Sequence, residues 1–278
     1  MADRVAKRRQ AYAAEITRRA GISDPRIEAA FAAVPREDFA GPPPWRIGSG
    51  GLFGLASSDD PARLYEDVLI AIDARRGINN GQPSLHAQSI DALRLKEGET
   101  VVQIGAGAGY YTAILATLVG PTGRVTAYEI EPDIAGRAAA NLARYPQVEV
   151  RARSGVEDLP TADAIYVNAA ASHPLRAWLD ALRGGGRLVF PLQAAGSTGA
   201  MLTVTRPEGG DAWPARLLSG VVFIACEGAQ DSAMGRKLDK AFRHGGAEGV
   251  RSLRFGAAPS HSDWLRGDGW ALSTEPAG

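Results

Sequence analysis

Cysteine is nearly absent from this sequence, and charge of neither sign predominates. Cys226 is the one cysteine among 278 residues, which excludes an internal disulfide and a multi-cysteine metal site. With 31 basic and 31 acidic side chains, the formal net charge is zero. The chain therefore has no overall basic field to attract nucleic acid or an anionic membrane, and we expect neither as a partner.

Histidine pairs and long apolar runs are lacking as well. The four histidines are scattered, and none form a pair at helical ligand spacing, so we expect no metal site. No apolar run approaches the roughly 18 residues that suggest a membrane span. The charged N-terminus does not continue into the apolar stretch of a secretory signal. These absences favour a cytoplasmic protein.

From residue 84 onward the sequence alternates between helical and strand patterns. Helices are predicted at residues 84–95, 110–119, 132–144 and 174–182. Strands are predicted at 100–104, 124–129, 148–153, 164–168, 187–192, 201–205 and 221–225. Strands separated by helices of this length imply an α/β fold with a Rossmann-like, doubly wound, mostly parallel sheet and helices on both faces.

The segment before this alternation begins as helix. We expect a first helix over residues 4–20 and a second that Asp24 caps and Pro35 stops. An apolar stripe on the second helix consists of Ile27, Phe31 and Val34.

Glycine and proline dominate residues 41–54, which we therefore predict to be a loop or a lid. Trp45 is either part of that lid or an anchor that holds it to the core. The last 50 residues show no clear pattern. Cys226 follows an apolar triplet in a predicted strand, so we expect an inert buried thiol.

We predict a single domain over residues 1–278 with an N-terminal helical segment and a C-terminal extension. Its parts are the N-terminal helices and lid loop (1–83), the Rossmann-like core (84–205), and the C-terminal strand and extension (206–278).

A glycine loop joins the first core strand to its helix. Gly105, Gly107 and Gly109 stand between strand 100–104 and the helix that begins at Tyr110. Glycines let backbone N–H groups approach a ligand without a Cβ in the way. Glu129 ends the next strand, where an acidic side chain can accept both ribose hydroxyls of a nucleoside. The loop and the acid together predict a nucleoside site.

The spacing of these glycines decides between nucleoside cofactors. The dinucleotide fingerprint is G-x-G-x-x-G, but Tyr110 occupies the position of its third glycine. The spacing G-x-G-x-G is usual in enzymes that use S-adenosylmethionine, and we predict this methyl donor as the cofactor. A nicotinamide cofactor and a glycine turn used only for close packing are the alternatives.

Several stretches resemble the protein-L-isoaspartate O-methyltransferases. Within residues 9–195 they are 20–26, 34–39, 65–67, 81–87 and 184–191. The resemblance implies an α/β methyltransferase fold and S-adenosylmethionine as the only cofactor. It also implies methylation of a carboxylate, carried by a peptide or a small molecule.

The resemblance assigns site residues too. Those implied to bind the donor are Gly105, Ala106, Gly107, Gly109, Tyr110, Glu129, Ile130, Ser154, Gly155, Val156 and Asn168. Those implied to form the acceptor-side wall, and so to serve catalysis, are Asn80, Gly81 and Gln82.

Four positions depart from the family's pattern. Gln103 stands where the family usually has a glutamate. Ser154 stands where the family has an aspartate that faces the adenine amine. Asn168 begins the segment that in the family is commonly Thr-Ala-Ala. Ser154 and Gln103 can still form hydrogen bonds, so we expect donor binding to survive. Gly81 replaces a serine and removes a hydroxyl from the acceptor wall. We therefore expect weak or absent turnover of isoaspartyl peptides.

Methyl transfer to a carboxylate needs no general base, because a carboxyl group of pKa about 4 is already ionised at neutral pH. Orientation of the reactants then provides the catalysis. An amide acceptor, suggested by Asn168, and a donor-binding protein without turnover are the alternatives. Asn80 and Ser84 could replace the missing hydroxyl, and His86 is expected at the surface of its helix or half-buried.

Overall fold

The computed structural model describes residues 2–48 and 56–278. Its helices are α1 (Ala2–Ala20), α2 (Pro25–Ala33), α3 (Glu37–Ala40), α4 (Pro83–Leu93), α5 (Tyr110–Val119), α6 (Pro132–Asn141), α7 (Arg176–Ala181) and α8 (Ser232–His244). Its strands are β1 (Trp45–Gly48), β2 (Ala56–Ser58), β3 (Leu69–Asp73), β4 (Ile78–Asn79), β5 (Thr100–Ile104), β6 (Arg124–Tyr128), β7 (Val148–Arg151), β8 (Ala162–Val167), β9 (Leu182–Leu192), β10 (Gly199–Thr205), β11 (Ala212–Val221), β12 (Ser252–Phe255), β13 (Asp263–Arg266) and β14 (Trp270–Ser273).

The chain forms two compact units. The first unit consists of residues 1–99 and 106–153, and the second of residues 100–105 and 154–278. Within the described residues, no helix is both long and apolar enough to cross a membrane.

The first unit combines helices with two groups of strands. β2, β1, β3 and β4 form an antiparallel sheet in that order, and β6 pairs with β7 in parallel. Asp24 caps α2 as predicted, because its carboxylate accepts from the backbone N–H of Arg26 at 2.9 Å. The predicted stripe of Ile27, Phe31 and Val34 is buried.

The second unit is a sheet that changes from parallel to antiparallel pairing. Its strands lie in the order β13-β14-β12-β11-β10-β9-β8-β5. β5, β8 and β9 pair in parallel, and pairing from β9 to β14 is antiparallel. The predicted α/β fold with a C-terminal extension is confirmed. The boundaries 1–83, 84–205 and 206–278 stay a prediction.

The predicted loop over residues 41–54 contains a strand, so that prediction is wrong for Trp45–Gly48. This strand, β1, forms because β2 and β3 pair with it on either side. Trp45 is buried, and its indole N–H donates to the carbonyl of Gly41 at 2.8 Å. These contacts favour an anchor over a lid. Residues 49–54 of the predicted lid lie outside the described residues.

The strand predicted at 221–225 is also wrong, since β11 ends at Val221. Val222 and Ile224 are 73% and 52% exposed, so apolarity there does not reflect a sheet. Pairing continues only as an isolated bridge between Ala225 and Ala170. Cys226 is nevertheless buried, and burial raises the pKa of its thiol to about 11. A thiol of that pKa is unreactive at neutral pH.

Candidate functional site

The backbone conformation of the glycine loop and the packing around it require glycine at these three positions. The φ angles of Gly105, Gly107 and Gly109 are 78°, 55° and 95°, in the left-handed region that favours glycine. In the first unit, a Cβ on Gly107 would lie 2.9 Å from the side chain of Ile72. A Cβ on Gly109 would lie 2.8 Å from that of Leu142. Close packing is therefore one function of the loop, whatever it binds.

Glu129 is buried directly beside this loop. One carboxylate oxygen accepts from the backbone N–H of Gly107 at 2.7 Å. The other oxygen accepts from the N–H of Glu131 at 3.1 Å. An ionised carboxylate offers about four acceptor positions, so both oxygens retain capacity for further hydroxyl donors. The next residue, Ile130, is a large apolar side chain that is 41% exposed.

The side chain of Tyr110 belongs to a buried aromatic cluster. Its hydroxyl lies 3.4 Å from that of Tyr12, and its ring packs edge-on against Phe31 and Phe39. Burial raises the pKa of Tyr110 well above its usual value. Since the side chain is committed to this cluster, a contact with the predicted donor would have to come from the main chain of residue 110.

Arg36 lies at the centre of the same cluster, and sequence reasoning missed its role. It is 1% exposed, and its guanidinium carbon is 5.5 Å from the ring centroids of both Tyr12 and Tyr110. Its N–H groups donate to the carbonyls of Leu64, Glu66 and Val68. These carbonyl acceptors and the surrounding aromatic faces offset the cost of burying the cation, although its Nε has no hydrogen-bond partner among the described residues. Arg36 thereby holds the chain that leads into β3.

β3 connects the residues predicted to form the acceptor wall with the glycine loop. Asn80 pairs with Ile70 through both its backbone and its side chain: its N–H donates to the carbonyl of Ile70 at 3.0 Å, and its Oδ1 accepts from the N–H of Ile70 at 2.7 Å. Ile72, two residues along β3, is the side chain that packs at Gly107. The first unit therefore brings two predicted groups of site residues to one strand.

Gly81 lies against the imidazole of His86. The φ of Gly81 is 71°, and an ideal Cβ there would lie 2.1 Å from Nε2 of His86. The prediction of a surface or half-buried His86 is wrong, since it is 2% exposed. Its ring stacks on Tyr111 with a centroid distance of 3.7 Å. Burial first, and then the charge of Arg36, lowers the pKa of His86 to about 3, so the imidazole is neutral at pH 7.

Gln82 and Ser84 are both held by Asp67. The backbone N–H of Ser84 donates to Asp67 at 2.8 Å and its hydroxyl at 2.7 Å. The side-chain amide of Gln82 donates to the same carboxylate at 2.9 Å. Asp67 thus caps α4 from a distance in sequence. Because the hydroxyl of Ser84 donates to Asp67, it cannot also donate its one proton to an acceptor at residue 81.

In the second unit, Asn168 packs against Gly105. The backbone N–H of Asn168 donates to the carbonyl of Ile104 at 2.8 Å, and its side-chain amide to that of Gly105 at 3.3 Å. A Cβ on Gly105 would lie 3.4 Å from the backbone of Asn168. Oδ1 of Asn168 is buried and has no hydrogen-bond partner among the described residues. Such an atom is usually satisfied by a ligand or by water.

The turn after β7 enters the same unit. The carbonyl of Gly155 accepts from the indole N–H of Trp178 at 2.9 Å, and Val156 packs at Gly228. These contacts hold residues 155 and 156 in the second unit. Ser154 is half-buried. Its predicted contact with adenine stays a prediction.

No group of three or more histidine, cysteine, aspartate or glutamate side chains able to hold a metal ion occurs in residues 2–48 and 56–278.

Comparison with known proteins supplies the family context. A model of the family "Protein-L-isoaspartate(D-aspartate) O-methyltransferase" matches residues 56–230. A protein-L-isoaspartate O-methyltransferase of Rhodopseudomonas palustris is 34% identical over 215 residues, which are 76% of this chain and 88% of the relative. A protein of the same name from Pyrobaculum neutrophilum is 33% identical over 184 residues, 64% of this chain and 80% of the relative.

Solved structures show the same fold. A protein-L-isoaspartate O-methyltransferase structure superposes with a TM-score of 0.64 at 23% identity, covering 84% of this chain and 69% of that one. A protein-L-isoaspartate O-methyltransferase structure from Plasmodium falciparum, in complex with S-adenosyl-L-homocysteine, superposes with a TM-score of 0.61 at 20% identity. The superposition covers 78% of this chain and 97% of that one.

Proposed function

The chain belongs to the protein-L-isoaspartate(D-aspartate) O-methyltransferase family, and we propose that its acceptor is the carboxylate of an isoaspartyl residue in a polypeptide. It is an S-adenosylmethionine-dependent O-methyltransferase, as the resemblance implied. One observation carries the proposal: the matched segment 56–230 contains every residue assigned above to the donor or the acceptor.

The residues of the first unit suit the nucleoside half of the donor. We assign the ribose hydroxyls to Glu129, because the backbone of Gly107 and Glu131 fixes its carboxylate and both oxygens can accept further bonds. We assign the flat adenine ring to the exposed apolar surface of Ile130. Burying that surface against a ring contributes hydrophobic stabilisation.

The residues of the second unit suit a polar part of the donor. Oδ1 of Asn168 is an acceptor without a partner in the described chain, and a buried acceptor left unsatisfied costs about 1–3 kcal/mol. An N–H or O–H of the bound donor would satisfy it. Ser154, Gly155 and Val156 are assigned to the adenine side by resemblance.

When bound, S-adenosylmethionine supplies an electrophilic methyl group on a sulfonium. The chain's own residues then have to hold an ionised carboxylate in line with it, and no residue has to remove a proton. We assign this orienting function to the wall formed by Asn80, Gly81 and Gln82. Asn80 is suited to it because two hydrogen bonds to Ile70 fix its position.

The serine hydroxyl that the family pattern places at position 81 is absent from this chain. We expect its absence to slow the methylation of isoaspartyl carboxylates. The neutral imidazole of His86 fills the space that a side chain at 81 would take, and Ser84 is engaged with Asp67. A hydrogen bond to a charged group contributes on the order of 1.5–3 kcal/mol. If it acts in the transition state, its absence slows turnover roughly tenfold to over a hundredfold.

Methyl transfer to paired peptides tests the proposal. The purified protein is incubated with S-adenosylmethionine labelled in the methyl group and with an isoaspartyl peptide or its aspartyl counterpart of the same sequence. Base-labile label should accumulate in the isoaspartyl peptide alone. Donor binding by calorimetry without methylation of either peptide would contradict the proposal and indicate another acceptor or no turnover.

A further inference from the structure

A cavity of about 460 Å³ opens in the second unit. Residues 231–278, which follow the segment matched by the family model, supply more than half of its lining. Protein sites for small molecules fall in the range of about 300–1,000 Å³. Its lining includes none of the residues assigned above to the donor or the acceptor. It is therefore a separate feature that methyl transfer does not explain.

Two aromatic rings in its wall are fixed by the surrounding chain. Trp270 follows the Asp268–Gly269 turn between β13 and β14, where the N–H of Gly267 donates to the carbonyl of Trp270 at 3.0 Å. A Cβ on Gly267 would lie 2.3 Å from the indole, so glycine there lets the ring lie against the turn. Phe255 packs edge-on against Trp213 at 5.1 Å between centroids.

Two carboxylates line the same cavity. Asp268 makes no ion pair or side-chain hydrogen bond in the part of the chain that the structure describes. Asp231 caps α8, and the backbone N–H of Met234 donates to it at 2.7 Å. That hydrogen bond holds the pKa of Asp231 below its usual value, so it is charged at pH 7.

The basic groups of the lining do not cancel these charges. Nε of Arg176 donates to both carboxylate oxygens of Asp180 at 2.9 Å, so its charge already has a partner. Burial lowers the pKa of His173, and its Nδ1 lies 3.1 Å from the hydroxyl oxygen of Ser172. A neutral imidazole adds no positive charge at pH 7. The lining thus combines apolar and aromatic side chains with two carboxylates whose charge its own basic groups do not cancel.

We propose that this cavity binds an organic cation on an apolar stem, such as the ammonium group of a lysine side chain or of a free diamine. The carboxylates of Asp231 and Asp268 pair with the cation, while Trp270 and Phe255 contact the stem and offer aromatic faces to the charge. An anion would meet two negative groups. A wholly apolar ligand would strip water from them without supplying a partner.

Isothermal titration of the full chain at low salt tests this proposal with three probes: N-acetyl-lysine amide, its neutral isostere N-acetyl-norleucine amide, and 1,5-diaminopentane. At least one amine should bind, and the norleucine amide should bind at least about tenfold more weakly. Tighter binding of the lysine amide identifies a polypeptide side chain as the source, and tighter binding of the diamine identifies a free amine.

Matched variants locate the binding. Asp268→Asn should weaken amine binding about tenfold or more, whereas Asp211→Asn, which removes an exposed aspartate of the same unit outside the lining, should leave it unchanged. Trp270→Phe keeps a ring and should weaken binding less than Trp270→Ala, with thermal melts showing that each variant is folded. Equal binding of lysine and norleucine amides, no amine binding, or an Asp268→Asn variant that binds like wild type would overturn the proposal. None of these measurements depends on methyl transfer.

Discussion

Serine at position 81 is expected to destabilise the fold by about 2–5 kcal/mol. The φ of Gly81 is 71°, and an L-residue in the left-handed region costs roughly 1–2 kcal/mol. Its Cβ would also lie 2.1 Å from Nε2 of His86, and forcing extra atoms into a packed interior costs typically about 1–3 kcal/mol. The imidazole cannot simply swing away, because it is buried and stacked on Tyr111 at 3.7 Å.

Gly21 provides a matched control for the backbone contribution. Its φ is 68°, and a Cβ there would meet nothing within 4 Å. Gly21→Ser should therefore lower the free energy of unfolding by only about 1–2 kcal/mol. The difference between the two serine variants isolates the overlap with His86.

A double-mutant cycle with His86→Ala measures the same overlap independently. Without the imidazole, Gly81→Ser should cost about 1–2 kcal/mol, so the coupling energy should be about 1–3 kcal/mol. Urea unfolding followed by circular dichroism gives all four free energies, provided that the slopes agree. An overlap with His86 is refuted if Gly81→Ser destabilises the fold no more than Gly21→Ser does, or if it destabilises the fold equally with and without His86. The overlap also means that Gly81→Ser alone cannot report on a serine hydroxyl; the double variant is required for that.

Three further predictions concern the donor, metals and pH. Glu129→Gln should weaken binding of S-adenosyl-L-homocysteine by about tenfold or more in calorimetry, because one carboxylate oxygen becomes an amide donor. The control Glu149→Gln, at an exposed position, should leave the affinity unchanged. Equal affinities of Glu129→Gln and wild type would contradict the ribose assignment. Methyl transfer should survive exhaustive chelation, and a loss that a divalent ion restores would contradict it. The pKa of His86 in the folded state is about 3, which lies below the usual 6.5. The neutral imidazole therefore contributes its full stabilisation above about pH 6.5. That contribution declines as the pH falls toward 3, by up to about 1.4 kcal/mol per pH unit. Between pH 7 and pH 5, the free energy of unfolding should fall less for His86→Phe than for the wild type. An identical fall in the two proteins would count against a buried neutral imidazole.

The elements that the sequence predicts best are those buried on all sides. Helix α5 and strand β5 match the predicted bounds 110–119 and 100–104 residue for residue. Both are largely apolar runs that end next to glycines (Gly105 after β5, and Gly109 and Gly120 on either side of α5), and that pattern depends on nothing distant in sequence. The glycine loop and Glu129 were identified for the same reason, since their spacing is local.

Short antiparallel strands before and after the parallel core are the elements that the sequence does not reveal. β1 to β4 and β12 to β14 are two to five residues long, with mixed polarity, and each is stabilised by pairing with a neighbour rather than by its own pattern. The C-terminal cavity could not be predicted for that reason, because its wall depends on the turn at Asp268 and on the course of β12 through β14.

Side chains that act over long sequence separations were missed at the site as well. Arg36 reaches carbonyls about 30 residues away, and Asp67 caps a helix that begins 16 residues later. Neither contact leaves a local signature, since an isolated arginine or aspartate is ordinary on a surface.

Departures from a family pattern therefore cannot be weighed one residue at a time. Taken alone, Gly81 indicates a lost hydroxyl and a loosened wall. In the structure, the same position requires a residue without a Cβ, because the imidazole of His86 occupies that space, and Asp67 and Asn79 hold the adjoining backbone. The hydroxyl expected from the family pattern is absent, but the segment predicted to form the wall is packed and its backbone is fixed. The expected consequence is a slower methyltransferase with an intact acceptor wall, which the double variant Gly81→Ser/His86→Ala distinguishes from a wall that has changed its substrate.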